Sequence, residues 1–253
     1  MESRKKFLKN FLIGATSVPV IIAACKKDDV ATTTSGTDTG TGTGTGTGSG
    51  SGSCTVTPTE TAGPFPTITP SSLVRSDIRL DRTGVAFTIN ITIKNTNNNC
   101  SALPGAIVDI WHCDKDGYYS EYGGSGMQSV DYTSVHFLRG RQTTDSNGLV
   151  TFTSIFPGWY TGRATHIHVH VYNSAGTSLL ITQIAFPEGS DSAVATVNGN
   201  GGTAYGYTKG MTGYTYNASD NVFSDDSTSA EVATVTGSLS TGYVLAHSIY
   251  VNG

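Results

Sequence analysis

From Val85 to Ile93 the chain alternates strictly. Val85, Phe87, Ile89, Ile91 and Ile93 are apolar, and Ala86, Thr88, Asn90 and Thr92 stand between them. A period of two puts successive side chains on opposite faces of an extended backbone, so this stretch predicts a half-buried β-strand. A polar turn follows at 95–99, and 106–111 predicts a second strand. The run Asp145-Ser146-Asn147-Gly148 predicts a turn between strands at 141–144 and 149–153. Alternation returns at 166–172, the chain turns at 173–176, and strands follow at 178–185 and 243–251. After the N-terminal region no stretch of about eleven residues repeats with a helical period. Many short strands joined by Gly, Asn and Asp turns predict an all-β fold, a β-sandwich. Residues 188–230, rich in Gly, Ser, Asn and Asp, predict a long surface excursion with a short helix around 190–196.

The pattern breaks down before residue 54. Residues 1–24 carry a basic head (Arg4, Lys5, Lys6) and a short apolar run from Phe11 to Ala24, which predicts a cleaved export signal. The run is too short for a stable membrane span. Ile22-Ala23-Ala24-Cys25 resembles a bacterial lipobox, which implies lipidation of Cys25 and anchoring to a membrane outside the cytoplasm. Residues 25–53 are dominated by Thr, Gly and Ser, with a Thr-Gly repeat from 39 to 47. Such a segment has little apolar surface to offset its chain entropy, so it reads as a flexible tether. The folded domain is then 54–253, long enough for one core.

Charge narrows the partners. The 253 residues carry 15 basic and 19 acidic side chains. Setting aside the four basic and one acidic residue of 1–24 leaves 11 against 18, a net charge of −7. With no basic run left, nucleic acid is not an expected partner. Cys54, Cys100 and Cys113 remain beyond Cys25, enough for one disulfide and one spare thiol. The pairing stays open. Cys54–Cys100 is favoured because Cys100 and Cys113 flank one predicted strand and stand too far apart to bridge.

The candidate chemistry starts at Arg163-Ala164-Thr165-His166-Ile167-His168-Val169-His170. In a strand the three histidines share one face, about 6.5–7 Å between neighbours. Two imidazoles so placed can reach one metal ion, and a polar face with Ile167 and Val169 inward fits the same pattern. Tyr160 lies in a turn just before them, in Pro157-Gly158-Trp159-Tyr160, and Gly117-Tyr118-Tyr119 follows Trp111. Phenolate is a hard anionic donor that suits a trivalent ion. With 12 tyrosines in the chain, packing at the end of a sheet is the plain alternative.

These pieces resemble the intradiol ring-cleavage dioxygenases, the catechol, protocatechuate and hydroxyquinol dioxygenases and their exported relatives. The resemblance runs over about 61–187. It is carried by Thr61-Ala62-Gly63-Pro64-Phe65, the stretch from Pro104 through Trp111 to Tyr119, Leu138-Arg139-Gly140-Arg141 with Thr144 to Gly148, Pro157 to Tyr160, Arg163 to His168, and Thr182-Gln183. It implies a prealbumin-like sandwich with long loops at the active-site end, and a non-haem Fe(III) held by Tyr119, Tyr160, His166 and His168, with Tyr118 the alternative to Tyr119, which the spacing from Trp111 favours. It implies that Tyr160 is the ligand substrate displaces, that Arg163 and Gln183 act in catalysis, and that Gly63, Pro64, Phe65 and Trp111 line the substrate site, Trp111 mainly by packing. The implied reaction joins a catecholic substrate and O2, cleaving between the hydroxyl-bearing carbons to a muconate-type diacid. The family often forms homodimers.

The alternative is an iron- and catechol-binding surface lipoprotein of the same fold with little or no turnover. His112-Cys113-Asp114-Lys115-Asp116 departs from the family's usual run, and His112 and Cys113 read best as packing. His170 lies one step too far along to be an expected ligand, and 121–136 is the insert where substrate choice could be made.

Overall fold

The computed structural model describes residues 54–124 and 126–253. The expected signal (1–24), tether (25–53) and lipidated Cys25 lie outside the described residues.

The strands run in chain order as β1 (Ala86–Asn95), β2 (Ser101–Ala102), β3 (Ile107–Trp111), β4 (Arg139–Thr143), β5 (Leu149–Ile155), β6 (His166–Tyr172), β7 (Ser178–Ala185), β8 (Thr234–Ser238) and β9 (Gly242–Val251). The helix α1 (Ala193–Asn198) precedes β8, and the Ser192 hydroxyl caps it by accepting from Ala195 N at 3.1 Å. One sheet is ordered β2-β1-β9-β8, with β5 also on β1; the other is β4-β3-β6-β7. β1 pairs in parallel with β9, the last strand, so the sheet unites two distant parts of the chain.

One core lies between the sheets. β1 contributes Phe87, Ile89, Ile91 and Ile93, and β9 contributes Leu245, Ile249 and Val251. Val108 and Ile110 of β3, Ile167, Val169 and Val171 of β6, and Ile184 of β7 meet them from the second sheet. Each such side chain withdrawn from water stabilises the fold by about 1.5–3 kcal/mol. The fold is all-β, as the alternation predicts, and the 166–172 and 178–185 strands have the predicted bounds. Two strands escape the pattern. β2 is only a two-residue pairing, and β8 is a largely exposed edge with no apolar alternation to announce it.

The second sheet positions the site. With the apolar residues of β6 turned to the core, His166, His168 and His170 occupy its other face. Register then aligns Arg139, Trp111, His168 and Gln183 in one row across β4, β3, β6 and β7. Residues directly opposite in register point the same way. The row lies at the sheet end where β3 and β7 leave and β4 and β6 enter, so loops from four strands gather over it.

Cys54 and Cys100 form a disulfide, and Cys113 is a free, buried thiol. The pairing favoured on spacing is the one observed.

Candidate metal and substrate site

A cavity of about 470 Å³ opens above this row. Gly63, Pro64, Phe65, Tyr119, Tyr160, Arg163, His166 and His168 are among the residues that line it. Six of the expected site residues outside the ligand set can be placed against this cavity. Gly63, Pro64, Phe65 and Arg163 line it; Trp111 and Gln183 stand behind its wall.

Three polar atoms converge at its floor. His166 Nε2 lies 3.1 Å from His168 Nε2 and 3.1 Å from Tyr119 Oη. All three side chains are buried. His166 Nδ1 is 2.6 Å from the carbonyl of Ala164. A carbonyl only accepts, so Nδ1 carries the proton and Nε2 presents its single lone pair. That lone pair has two neighbours and can serve one hydrogen bond well. His168 Nδ1 is buried with no hydrogen-bond partner among the described residues, so the second imidazole is also incompletely satisfied. Donors at about 2.1 Å from one cation and at right angles would stand about 3 Å apart. The cluster therefore fits a metal ion better than it fits a hydrogen-bond network. Among the described residues no group of three His, Cys, Asp or Glu side chains could hold a metal; the donor set here is two imidazoles and phenol oxygen, hard enough for a trivalent ion.

Burial sets the charge states. Burial, with the positive Arg163 nearby, pushes His166 down to about 3, and burial with His166 alongside pushes His168 well below the usual imidazole range. Both rings are thus neutral with lone pairs available. Burial also raises the Tyr119 phenol well above its ordinary value, so its ionisation needs a compensating cation. Tyr160 is different. Its ring is only partly buried, its Oη reaches the Met127 carbonyl at 3.5 Å, and burial raises it more modestly. It stands at the cavity rim, outside the contact made by the other three.

Tertiary contacts hold these groups in place. Trp111 is stacked on His168 with ring centroids 4.9 Å apart and 2° between planes. Phe65 stacks on Tyr119 at 4.9 Å and meets Tyr160 edge-on at 5.5 Å. Gly63 has φ +70°, and a Cβ there would approach His168 Cε1 to 2.9 Å, so glycine is what lets this segment cover the imidazole. Arg163 Nε donates to both carboxylate oxygens of Asp220, at 2.9 and 3.1 Å, and Nη2 donates to Gln183 Oε1 at 2.8 Å. Gln183 Nε2 donates to Thr61 O at 2.8 Å. Gln183 thereby ties Arg163 to the segment that carries Gly63.

Sequence reasoning missed three supports. Asp220 is fully buried; burial opposes its charge, but Arg163 and the backbone N–H groups of Ala164 and Val222 hold the carboxyl below its usual range. Gln128 clamps Tyr119 from both sides, accepting from its N–H at 2.7 Å and donating to its carbonyl at 2.8 Å. Arg139 is wholly buried and donates to Ser120 O, Ser120 Oγ, Phe65 O and Thr67 Oγ1. Only Arg139 had a signal, its place in the Leu138–Arg141 motif. His112 bonds Ser154 Oγ and Cys113 O as a packing residue, and His170 bonds Ser178 and Tyr172 away from the cavity.

A two-sheet all-β domain with a buried Tyr-His-His cluster under an open cavity defines the class: a β-sandwich protein with a candidate metal site at one sheet end. The chain belongs to the intradiol ring-cleavage dioxygenase family, since residues 69–198 match the family model described as Dioxygenase (Dioxygenase_C). It is 28% identical to an intradiol ring-cleavage dioxygenase from Tetranychus urticae, with a TM-score of 0.66 over 79% of this chain and 95% of that one. The dioxygenase domain of a dioxygenase–carbohydrate-binding fusion from Streptomyces sp. SirexAA-E has the same fold, with 24% identity and a TM-score of 0.53 over 78% of this chain and 97% of that one. A chlorocatechol 1,2-dioxygenase of Rhodococcus opacus is 27% identical over 128 residues, 43% of this chain and 46% of that protein. The match thus spans about half the length of this curated relative.

Proposed function

We propose that this protein is an exported, lipid-anchored non-haem ferric dioxygenase that cleaves catechols between their hydroxyl-bearing carbons with O2, giving muconate-type diacids. The observation that carries the reading is the meeting of Tyr119 Oη, His166 Nε2 and His168 Nε2 within 3.1 Å contacts under the cavity that Tyr160 and Arg163 also line. Tyr119, Tyr160, His166 and His168 would hold the iron. When bound, ferric iron supplies the Lewis acidity that eases deprotonation of a catechol and draws electron density from its ring towards O2.

The protein's own contributions follow from placement. Tyr160, at the rim and loosely held, is the phenol free to move as substrate enters, and as a phenolate it is a base for one catechol proton. Tyr119, enclosed by Phe65 and clamped by Gln128, stays fixed. Phe65 and Pro64 pack against the flat ring and exclude water from one side. Arg163, locked by Asp220 and Gln183, offers its guanidinium to negative charge that develops on substrate oxygen or ring carbon, without reorganising at that moment. The disulfide supports an oxidising, extracytoplasmic location.

The test is iron loading followed by catechol and O2. A red-brown absorption band from phenolate on ferric iron, shifted by catechol, with oxygen consumed and diacid formed, is the expected result. His168→Ala should abolish the band. If wild-type protein shows the band and the catechol shift but takes up no oxygen with catechol, protocatechuate, hydroxyquinol or caffeate, the protein is a binder and not an enzyme.

A further inference from the structure

A second cavity, also of about 470 Å³, adjoins the first. Met127, Tyr160 and Thr161 line both, so the two chambers share a wall that carries Tyr160. The first chamber is walled largely by rings and by the converging imidazoles. The second is lined by Asp116, Gly117, Tyr118, Gln128, Thr208 and Lys209 in addition to the shared residues.

Its charged groups are unequally free. Asp116 is paired with Lys115 at 3.2 Å. Gln128 spends its amide on the backbone of Tyr119, Tyr122 and Val130. Lys209 makes no ion pair among the described residues, although the Asp116 and Asp114 carboxylates are near enough to act on its charge. Its Nζ donates to the Trp159 carbonyl at 2.7 Å and lies 3.8 Å from the centroid of the Trp159 ring. An ammonium has three N–H groups, so this bond leaves donors for the cavity. The placement is built into the chain. Gly117, at φ +91°, runs against this spot, and a Cβ there would overlap the Trp159 carbonyl and stand 3.0 Å from Lys209 Nζ. Lys209 is half-buried, and a charge removed from bulk water gains more from a counter-charge than an exposed one does.

We infer that the second cavity is a subsite for an anionic arm on the substrate ring, with Lys209 as its specificity residue. The preferred substrate is then a catechol that carries an extended side chain ending in a carboxylate. The ring occupies the chamber over Tyr119 and the histidines, the arm crosses the wall at Tyr160 and Thr161, and the carboxylate meets Lys209 and the Thr208 hydroxyl. This deepens the proposed function and rests on it for turnover, whereas the charge preference of the pocket can be measured by binding alone.

The experiment compares 3-(3,4-dihydroxyphenyl)propenoate with its methyl ester on the iron-loaded protein, by calorimetric titration and by kcat/KM. Wild-type protein should favour the acid over the ester by about tenfold in both, on the scale of one charge-assisted hydrogen bond. Lys209→Met should collapse that ratio towards one, and Lys209→Arg should retain most of it. A structural role alone would lower acid and ester binding together and leave the ratio unmoved, which overturns the inference. Equal binding of acid and ester by the wild type overturns it as well. If the ratio behaves as expected in calorimetry while neither compound consumes oxygen, the subsite stands and the catalytic reading fails.

Discussion

At the scale of single residues, the site depends on side chains that are committed before substrate arrives. Arg163 would sweep the cavity if it were free, but Asp220 and Gln183 fix its Nε and Nη2. Removing one member of a buried ion pair typically costs about 3–5 kcal/mol, because the other charge is left unpaired. Asp220→Asn keeps the shape and removes the charge, but its amide nitrogen can no longer accept from one of the two backbone N–H groups, of Ala164 and Val222, that the carboxylate serves. It should lower the unfolding free energy by about 3 kcal/mol in a denaturant titration. In the same variant the iron band should persist, and turnover per iron should fall at least about tenfold as Arg163 loses its fixed pose, a rise of about 1.4 kcal/mol in the barrier. An unchanged rate would mean that Arg163 is held well enough by Gln183 alone. The histidines were legible at this scale, since His-x-His in a strand fixes their common face. Asp220 was not, because it lies 57 residues from Arg163 in a stretch of Gly, Ser and Asn with no period.

At the scale of elements, the long excursion after β7 returns to the sheet edge at an isolated parallel bridge between Ala185 and Val232. Ala185 N donates to Glu231 O at 2.9 Å, and Ala233 N donates to Ala185 O at 3.0 Å. The Glu231 side chain at this fastening is buried, and among the described residues neither carboxylate oxygen makes a well-formed hydrogen bond, the Thr182 hydroxyl only easing its charge from nearby. Burial, with Glu60, Asp226 and Asp225 nearby, pushes its carboxyl up to about 8. A folded-state value above the unfolded one means that the native state binds the proton more tightly. The stabilisation is complete below about pH 4.5 and is lost as pH rises through about 8. The melting temperature of the wild type should therefore fall between pH 6 and pH 9, and Glu231→Gln should flatten that slope. A wild-type slope that survives the substitution would assign the titration to another group. The strands themselves were readable from alternation, and 193–198 falls within three residues of the predicted helix. The β8 edge and the fastening at Glu231 were not, because both depend on pairing across distance, with no local apolar pattern behind them.

At the scale of the whole molecule, the disulfide and the parallel β1–β9 pairing close the N-terminal segment and the C-terminus onto one sheet. Cys54 and Cys100 are 46 residues apart, and closing a loop of that length removes unfolded-state entropy worth about 4 kcal/mol at room temperature. Reduction should lower the melting temperature by roughly 8–16 °C for a domain of this size. Buried Cys113, whose thiol burial pushes up, should stay unreactive in the folded protein, so one native disulfide and one masked thiol are the expected titration result for residues 54–253. A reduced protein that melts with the oxidised one would show that the segment from Cys54 is held by other contacts, such as Thr57 N to Tyr250 O at 3.0 Å.

The sequence by itself determined which face the alternating strands bury and the fold class, and its motifs pointed to the family and to Tyr119, Tyr160, His166 and His168 as candidate ligands, because those follow from local period and residue chemistry. Only the tertiary structure decided that Arg139, Trp111, His168 and Gln183 stand in one row, that Asp220 and Gln128 lock Arg163 and Tyr119, and that a lysine-bearing chamber opens beside the cavity over Tyr119 and the histidines. The physical reason is that strand register and loop return are set by the packing of the whole core, and a hydrogen bond between residues far apart in the chain leaves no period in the sequence to read.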